Sequence, residues 1–374
     1  MRTADFDYAL PPELIAQEAC EPRDAARLLV TMGDAEIQHR RVSDLAEFLR
    51  PGDLLVLNRT KVIPARLFAR TPRLESGEGG GEREILLLHP EHLLDPDADR
   101  RAWRAMVRGR VAQGAVLEVL AGSAVAAEVT VMRLHEDGTR TLLADDFLAL
   151  AERCGHVPLP PYIARPDRPS DRERYQTVFA DRPGSVAAPT ASLHLTTALL
   201  ERCTALGVAQ ARVELAIGPG TFKPIDTERV EDFRIHGEWC SCPAETVAAV
   251  RATRAAGGRV IAVGTTVART LESAARQPGG FAPYCGWTRL FMHPPERFQV
   301  IDGLLTNFHL PRSSLLMLVA CLTGVERLQR LYAAAVQERY RFFSYGDAML
   351  LLSGSSAARG TPVANLADLG RETS

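Results

Sequence analysis

The stretch LLTNFHLPRSSLLMLV, residues 304–319, sets Asn307, His309, Arg312 and Ser313 around a proline between two apolar runs. An amide, an imidazole, a guanidinium and a hydroxyl at the start of an apolar helix can hold an anion or pass a proton, because buried neighbours keep them still. A second stretch, RYRFFSYGDAMLLL at 339–352, repeats the arrangement with Arg341, Ser344, Tyr345 and Asp347 around Gly346. In AVGTTVARTLE, 262–272, a strand pattern runs into Gly264, Thr265 and Thr266 and then a helix pattern. Unpaired N–H groups and two hydroxyls there suit a carboxylate or phosphate; the alternative is that the threonines simply cap the helix. In LAIGPGTFKP, 215–224, Gly218 and Gly220 let the backbone approach a ligand closely, with Thr221 and the charge of Lys223 beside them. In FRIHGEWC, 233–240, His236 and Glu238 are two residues apart. On a strand they share a face, either as an acid–base pair or as a plain surface pair on an edge strand.

Other chemistries lack their signatures. There is no H-E-x-x-H, no G-x-S-x-G elbow, and the glycine loop is not G-x-G-x-x-G, which argues against zinc hydrolase, serine hydrolase and dinucleotide enzyme. The 7 cysteines contain no C-x-x-C pair, so reduced thiols and no metal site are expected. The N-terminus lacks the apolar core of a signal peptide, and no apolar run approaches the roughly 20 residues of a membrane helix. A cytoplasmic protein with no membrane contact is expected. The net charge of −2 does not by itself announce a nucleic-acid binder. Of 44 basic residues all are arginine except Lys61 and Lys223, both inside motif-like segments.

These residues need elements to position them. A chain of 374 residues suits about two domains. RLLV and DLLVLN near the N-terminus read as strands buried on both faces, and PPELIAQEA as a short helix. Between 66 and 150, short runs such as REILLLH, AVLEVLA and AVAAEVTVMRLH alternate apolar with polar and are separated by turns, with almost no helix. That pattern predicts a small antiparallel β-barrel, with TPRLESGEGGGERE as a flexible surface loop at its edge. After proline-rich VPLPPYIARPDRPSD, strand and helix patterns alternate again. The predicted fold is an α/β main domain with a mainly parallel sheet covered by helices, interrupted by the inserted barrel. The expected boundaries are 1–62 and 153–355 for the main domain, 63–152 for the barrel, and 356–374 for a flexible tail. Ligands of such sheets bind at the carboxyl ends of strands, where four of the loops above fall: those of 215–224, 233–240, 262–272 and 304–319.

The motifs FDYALPPELIAQ, GDLLVLNRTKVIPARL, ERYQTVFA, VAAPTASLHLT, GPGTFKP, IHGEW, IAVGTTVARTLE, DGLLTNFHLPRSSLLMLV and YRFFSYGDAML, in this order, resemble the S-adenosylmethionine:tRNA ribosyltransferase-isomerases of queuosine biosynthesis. The likeness covers nearly the whole chain except the barrel and the tail. It implies an α/β domain interrupted by a barrel, no cofactor, and S-adenosylmethionine as ribosyl-donating co-substrate. The acceptor it implies is transfer RNA carrying 7-aminomethyl-7-deazaguanine at the wobble position; the product is epoxyqueuosine, with adenine and methionine released. A diverged member that binds either substrate without this catalysis is the alternative. On this resemblance the acid–base candidates are His194, His236, Glu238, His309 and Asp347. Gly264, Thr265 and Thr266 are assigned to the methionine end or a phosphate, with Gly218, Gly220, Thr221, Asn307 and Arg312 also lining the donor site. Phe308, Phe342 and Tyr345 are assigned to the sulfonium or a base. Arg23, Arg59, Lys61, Arg66, Arg174, Arg312 and Lys223 are assigned to RNA, and the protein is expected to be a monomer. Where the family's pattern has Gly, Phe and His, this chain has Ser192, Leu195 and Ala216, and its Pro294–Pro295 replaces a proline–glycine turn.

Overall fold

A computed structural model describes residues 1–72, 81–218, 220 and 224–354. Most of the loop expected at 71–84 and the tail expected at 356–374 lie outside the described residues, as do Thr221 and Lys223. In chain order the first strands are β1 (Arg27–Met32), β2 (Gln38–Arg41), β3 (Leu54–Asn58) and β4 (Thr60–Val62). Six more follow: β5 (Arg66–Arg70), β6 (Glu82–Pro90), β7 (Ala102–Val107), β8 (Val116–Ala121), β9 (Ala124–Leu134) and β10 (Arg140–Leu143). The rest alternates α1 (Phe147–Cys154), α2 (Asp171–Arg174), β11 (Arg182–Ser185), α3 (Thr197–Ala205), β12 (Ala209–Leu215), β13 (Glu238–Cys242), α4 (Ala244–Ala255), β14 (Val260–Val263) and α5 (Thr265–Ala275). It ends with β15 (Tyr284–Thr288), β16 (Gly303–Asn307), α6 (Ser314–Thr323), α7 (Val325–Gln337) and β17 (Ala348–Leu352).

Nine strands form one sheet in the order β15-β13-β12-β3-β14-β16-β17-β1-β2. In β3, β14, β16 and β17 every residue is buried, because both faces of the sheet are covered. Successive residues alternate between two cores. Leu54, Val56, Val260, Ala262, Leu304 and Met349 pack under α4, α5, α6 and α7. Leu55, Leu57, Ile261, Val263, Leu305 and Leu350 pack under α3 and the 3-10 helix Val42–Phe48.

The sheet is mixed, not mainly parallel. The pairings β12–β3, β3–β14, β14–β16 and β17–β1 are parallel, and the other four of the eight are antiparallel. One cause is the link from β16 to β17. A single helix would return the chain to the start of a parallel strand, but here α6 and α7 run out and back about Gly324, at φ +77°. The chain therefore re-enters the sheet at the edge it left, and β17 pairs antiparallel. PPELIAQEA forms only a 3-10 turn at Pro12–Leu14.

Strands β5 to β10 close into a six-stranded antiparallel barrel in the order β10-β7-β6-β5-β8-β9. Alternate residues such as Leu67, Ile85, Leu87, Trp103, Leu117, Val129 and Leu142 fill it, and α1 packs against it with Phe147 and Leu150. Closure removes the exposed strand edges that a sheet of this size would otherwise present. Strand β4, which pairs with β11 in a separate two-stranded parallel sheet, leads from β3 of the large sheet into the barrel, and Trp287 of β15 ties the two with its indole, which donates to the carbonyl of Leu93 at 2.9 Å.

Gly346 shows how closely the 339–347 loop is folded. A Cβ there would lie 2.5 Å from the carbonyl oxygen of Arg341 and 2.6 Å from the carbonyl carbon of Phe342. Both neighbours are backbone and cannot rotate away. Gly346→Ala is expected to destabilise the protein by roughly 1–3 kcal/mol in urea unfolding, as a forced overpacking should.

Candidate active site

Strands β14 and β16 run parallel and in register, with Val263 beside Leu305, so their carboxyl ends share one edge of the sheet. Gly264 continues the tie by donating its N–H to the Leu305 carbonyl at 2.8 Å. Its φ of +97° is a region that only glycine enters freely, and it turns the chain from strand into α5. No side chain caps α5, so the threonines are not its cap, and its first N–H groups open onto the strand ends. A cavity of about 630 Å³, mouth included, lies there. Four segments line it: Gly264–Thr266, Thr306–Leu310 with Ser313, Ala188–Ala191, and Phe343–Ser344, with Tyr162 and Ile217 closing the sides.

Most polar side chains in the lining are oriented by a neighbour. Thr266 Oγ1 accepts from Asn58 Nδ2 at 3.3 Å, and that asparagine, fully buried at the end of β3, also bonds both N–H and C=O of Leu215. His309 Nε2 meets Thr306 Oγ1 at 2.8 Å, and its backbone N–H donates to the Tyr332 hydroxyl at 2.9 Å. Asn307 Nδ2 donates to Phe343 O at 3.0 Å, to Asp347 O at 3.5 Å and to His194 Nε2 at 3.1 Å. Ser313 caps α6, accepting from the N–H of Leu316 at 3.2 Å. Tyr162 and Ser344 share a hydroxyl–hydroxyl bond of 2.5 Å, and burial pushes the tyrosine phenol well above its usual value. The rings of Tyr162 and Phe343 stand 4.7 Å apart at 48°.

Several assigned residues lie elsewhere. Asp347 is buried, but its carboxylate accepts the N–H groups of Arg27 at 3.0 Å and Arg341 at 2.8 Å, and so holds the loop rather than facing the cavity. Tyr345 points the other way, donating to Asp171 at 2.9 Å beside Tyr175. Phe342 is a core ring packed on Phe308, Tyr8 and Tyr332. Phe308 borders the cavity but is fully buried among Tyr332, Tyr340 and Phe342. Arg312 is exposed and pairs with Asp7.

His236 and Glu238 do not share a strand face, because β13 begins only at Glu238. His236 is exposed, with its ring against Gly220, where a Cβ would meet it at 2.6 Å. Glu238 is buried in an ion pair with Arg269 and accepts the N–H of Gly218 at 3.1 Å, a structural clasp on the glycine loop. His194 lies behind the cavity wall, where it acts through Asn307.

Four of the assigned arginines are engaged within the fold. Arg23 donates to the carbonyls of Gln176, Leu193 and Glu173; Arg59 pairs with Asp181, Arg66 with Glu84, and Arg174 with Glu21. Lys61 is exposed. Tyr162, Phe343, Thr190 and Asn58 were not singled out in the sequence. Phe343 carries a signal in hindsight, since it directly precedes Ser344, which the sequence did single out, and the Tyr-Gly-Asp turn.

Burial lowers the pKa of both His309 and His194 from the ordinary 6.5 to about 3, with Arg341 and Arg23 adding repulsion at His194. Both rings are therefore neutral in the folded state at neutral pH. The unfolded chain binds two more protons than the native one between pH 6.5 and 3, so stability rises with pH across that window and is lost as pH falls through it. From pH 7 to 5, above most carboxylate titration, roughly 2 kcal/mol should be lost for each imidazole. Chemical denaturation at the two pH values measures this, and His309→Gln should remove about half of the drop.

The sequence profile of the family described as queuosine biosynthesis protein matches residues 3–351. The chain is 49% identical over 360 residues to the S-adenosylmethionine:tRNA ribosyltransferase-isomerase of Gloeobacter violaceus, covering 95% of this chain and 97% of that one. It is 48% identical over 358 residues to the protein of the same name from an Anaeromyxobacter species, covering 94% and 99%. A crystal structure of S-adenosylmethionine tRNA ribosyltransferase from Thermotoga maritima shares 38% identity and superimposes over 93% of this chain and 100% of that one, with a TM-score of 0.52. Matched along almost its entire length by profile, sequence and structure, the chain belongs to the queuosine biosynthesis protein family, alongside these S-adenosylmethionine:tRNA ribosyltransferase-isomerases.

Proposed function

We propose that the cavity at the α5 N-terminus binds S-adenosylmethionine and that the protein moves the ribosyl unit of this donor onto transfer RNA. The acceptor is the aminomethyl group of 7-aminomethyl-7-deazaguanine at the wobble position. The ribosyl unit is isomerised in transfer to give epoxyqueuosine, and adenine and methionine leave. The supporting observation is a single cavity that offers an uncapped helix start, a neutral imidazole and two aromatic rings together, in a chain of this family.

The chemistry sets four demands. The methionine carboxylate needs N–H donors, supplied by the first turn of α5 with the Thr265 and Thr266 hydroxyls. The sulfonium needs a polarisable or electron-rich face, supplied by Tyr162 and Phe343 in place of Phe308, Phe342 and Tyr345. The positive sulfur acidifies the ribose C5′ hydrogens, and a base must take one. His309 is the imidazole in the described lining; it is neutral at neutral pH but, with its pKa lowered to about 3, a weak base, so the step leans on the acidity that the sulfonium confers on C5′. The reactive carbanion must be kept from water, and the apolar wall of Ala188, Pro189, Ala191, Ile217 and Leu310 does so. No resident cofactor enters these steps. The RNA meets exposed basic side chains such as Lys61 through its phosphates, while the modified base is splayed into the cavity mouth. A transfer RNA substrate places the activity in the cytoplasm. The site is built within one chain, which suits a monomer.

Incubation with S-adenosylmethionine and precursor transfer RNA should release adenine and methionine in equal amounts. Release of S-adenosylhomocysteine would mean methyl transfer instead, and binding without either product would mean an inactive relative. His309→Gln should lower kcat by about 10²–10⁴-fold while KM for the donor changes little, since a base acts on the transition state. Unchanged turnover would remove His309 from the mechanism.

A further inference from the structure

Asn307 is 2% exposed and lines the cavity, yet its Oδ1 has no hydrogen-bond partner. Of the buried side-chain atoms left in that condition among the described residues, it is the one that belongs to a cavity-lining residue. Its orientation is decided by its other end. Nδ2 faces the carbonyl oxygens of Phe343 and Asp347, and turning the amide over would set oxygen against oxygen at both. In that orientation His194 Nε2 accepts from the amide, and the neutral ring carries its proton on Nδ1. The two N–H bonds of Nδ2 are thus committed, shared among three acceptors, and Oδ1 is left without a partner. A buried polar group without a partner is costly, and a ligand that supplies the missing donor recovers that cost.

We infer that Asn307 Oδ1 receives the α-ammonium group of the donor's methionine half, and so selects donors that carry a free amino acid end. The inference rests on the donor-pocket reading above and adds to it the group recognised and the residue that recognises it. Position supports it: an α-amino acid bears its carboxylate and its ammonium on one carbon, so their receptors must be close neighbours. Gly264, at the head of α5, is bonded to Leu305, two residues before Asn307 on the adjacent strand. Charge supports it too. The described lining contains no aspartate or glutamate, so an ammonium group entering the cavity must be met by neutral oxygens. Among these, a side-chain amide oxygen with no other hydrogen bond is the strongest acceptor on offer.

The test is calorimetric titration of the full chain with S-adenosylmethionine, with an analogue lacking the α-amino group, and with an analogue lacking the adenine amino group. In the unmodified protein, loss of the α-amino group should weaken binding about tenfold or more, as expected for a charged donor on a buried acceptor. Asn307→Ala should weaken the parent compound by a similar factor and the α-desamino analogue hardly at all. Asn307→Ser serves as a second variant if the alanine protein is poorly folded. The inference is overturned if the α-desamino analogue binds the unmodified protein as tightly as its parent, a result that needs no variant. It is equally overturned if the variants lose the same factor for both ligands, which marks a structural residue. A loss that instead tracks the adenine amino group would reassign the contact. Failure of S-adenosylmethionine itself to bind would sink the donor-pocket reading first, and this inference with it.

Discussion

The structure turns on the bond between the Gly264 N–H and the Leu305 carbonyl, which carries the pairing of two parallel strands one residue past the end of β14. Because β14 ends opposite Leu305 and β16 only two residues later, at Asn307, a helix start and a polar loop are delivered to the same place. Everything that faces the cavity from the sheet follows from that coincidence. Burial on both faces makes it rigid: eleven consecutive residues of α5, Thr265 to Ala275, are buried, so the helix cannot tilt to close its own open end. A solvent-exposed helix would have satisfied those N–H groups with water or a capping side chain. Here they remain available to a ligand.

The charged residues expected to do chemistry largely hold the frame, and the uncharged ones face the cavity. Glu238 and Arg269 neutralise each other beneath the glycine loop, and Asp347 is spent on backbone N–H groups of Arg27 and Arg341. Isolated charges in such a dry place are expensive, so they survive only when matched. The two histidines follow the same rule by giving up their charge. What remains at the cavity surface is a set of neutral donors and acceptors, which suits a substrate that brings both signs of charge with it: a sulfonium, an ammonium and a carboxylate.

Much of the architecture could be read from residue patterns. Continuous apolar runs such as Leu54–Leu57 and Val260–Val263 could only be strands covered on both sides, and the alternation in β5 to β9 pointed to a barrel. Strand direction was less legible, because it depends on whether one helix or two intervene; Gly324 separates two helices that a pattern reading treats as one helix and a remainder. Site residues at strand ends, Gly264 to Thr266 and Asn307 to His309, were legible for the same reason as the strands. Those in turns were not. In RFFSYGD, apolar and polar types alternate without a period, and the direction each side chain takes is set by backbone torsions fixed through contacts far away in sequence. The cavity receives Phe343 and Ser344, while Tyr345 and Asp347, two and three residues on, turn into the protein. Tyr162 was hidden for a different reason: it sits in a proline-rich stretch whose composition reads as a linker.

Phe343 is the clearest case of a residue placed against its own preference. Its φ is +71°, a left-handed conformation that costs a bulky side chain on the order of 1–2 kcal/mol. The surrounding bonds over-determine it. Its N–H donates to Phe308 O at 3.2 Å, its carbonyl accepts from Asn307 Nδ2 and from the N–H of Gly346 at 3.0 Å, and Asp347 pins the loop on the far side. The result is an aromatic ring at the edge of the core that holds Phe308 and Phe342, set beside Tyr162 at the cavity. The same asparagine that holds Phe343 in this conformation also carries the unpaired oxygen. Strain, aromatic wall and unpaired acceptor therefore meet at one asparagine, while the bonds to Phe308 and Gly346 and the Asp347 clasp hold Phe343 without it.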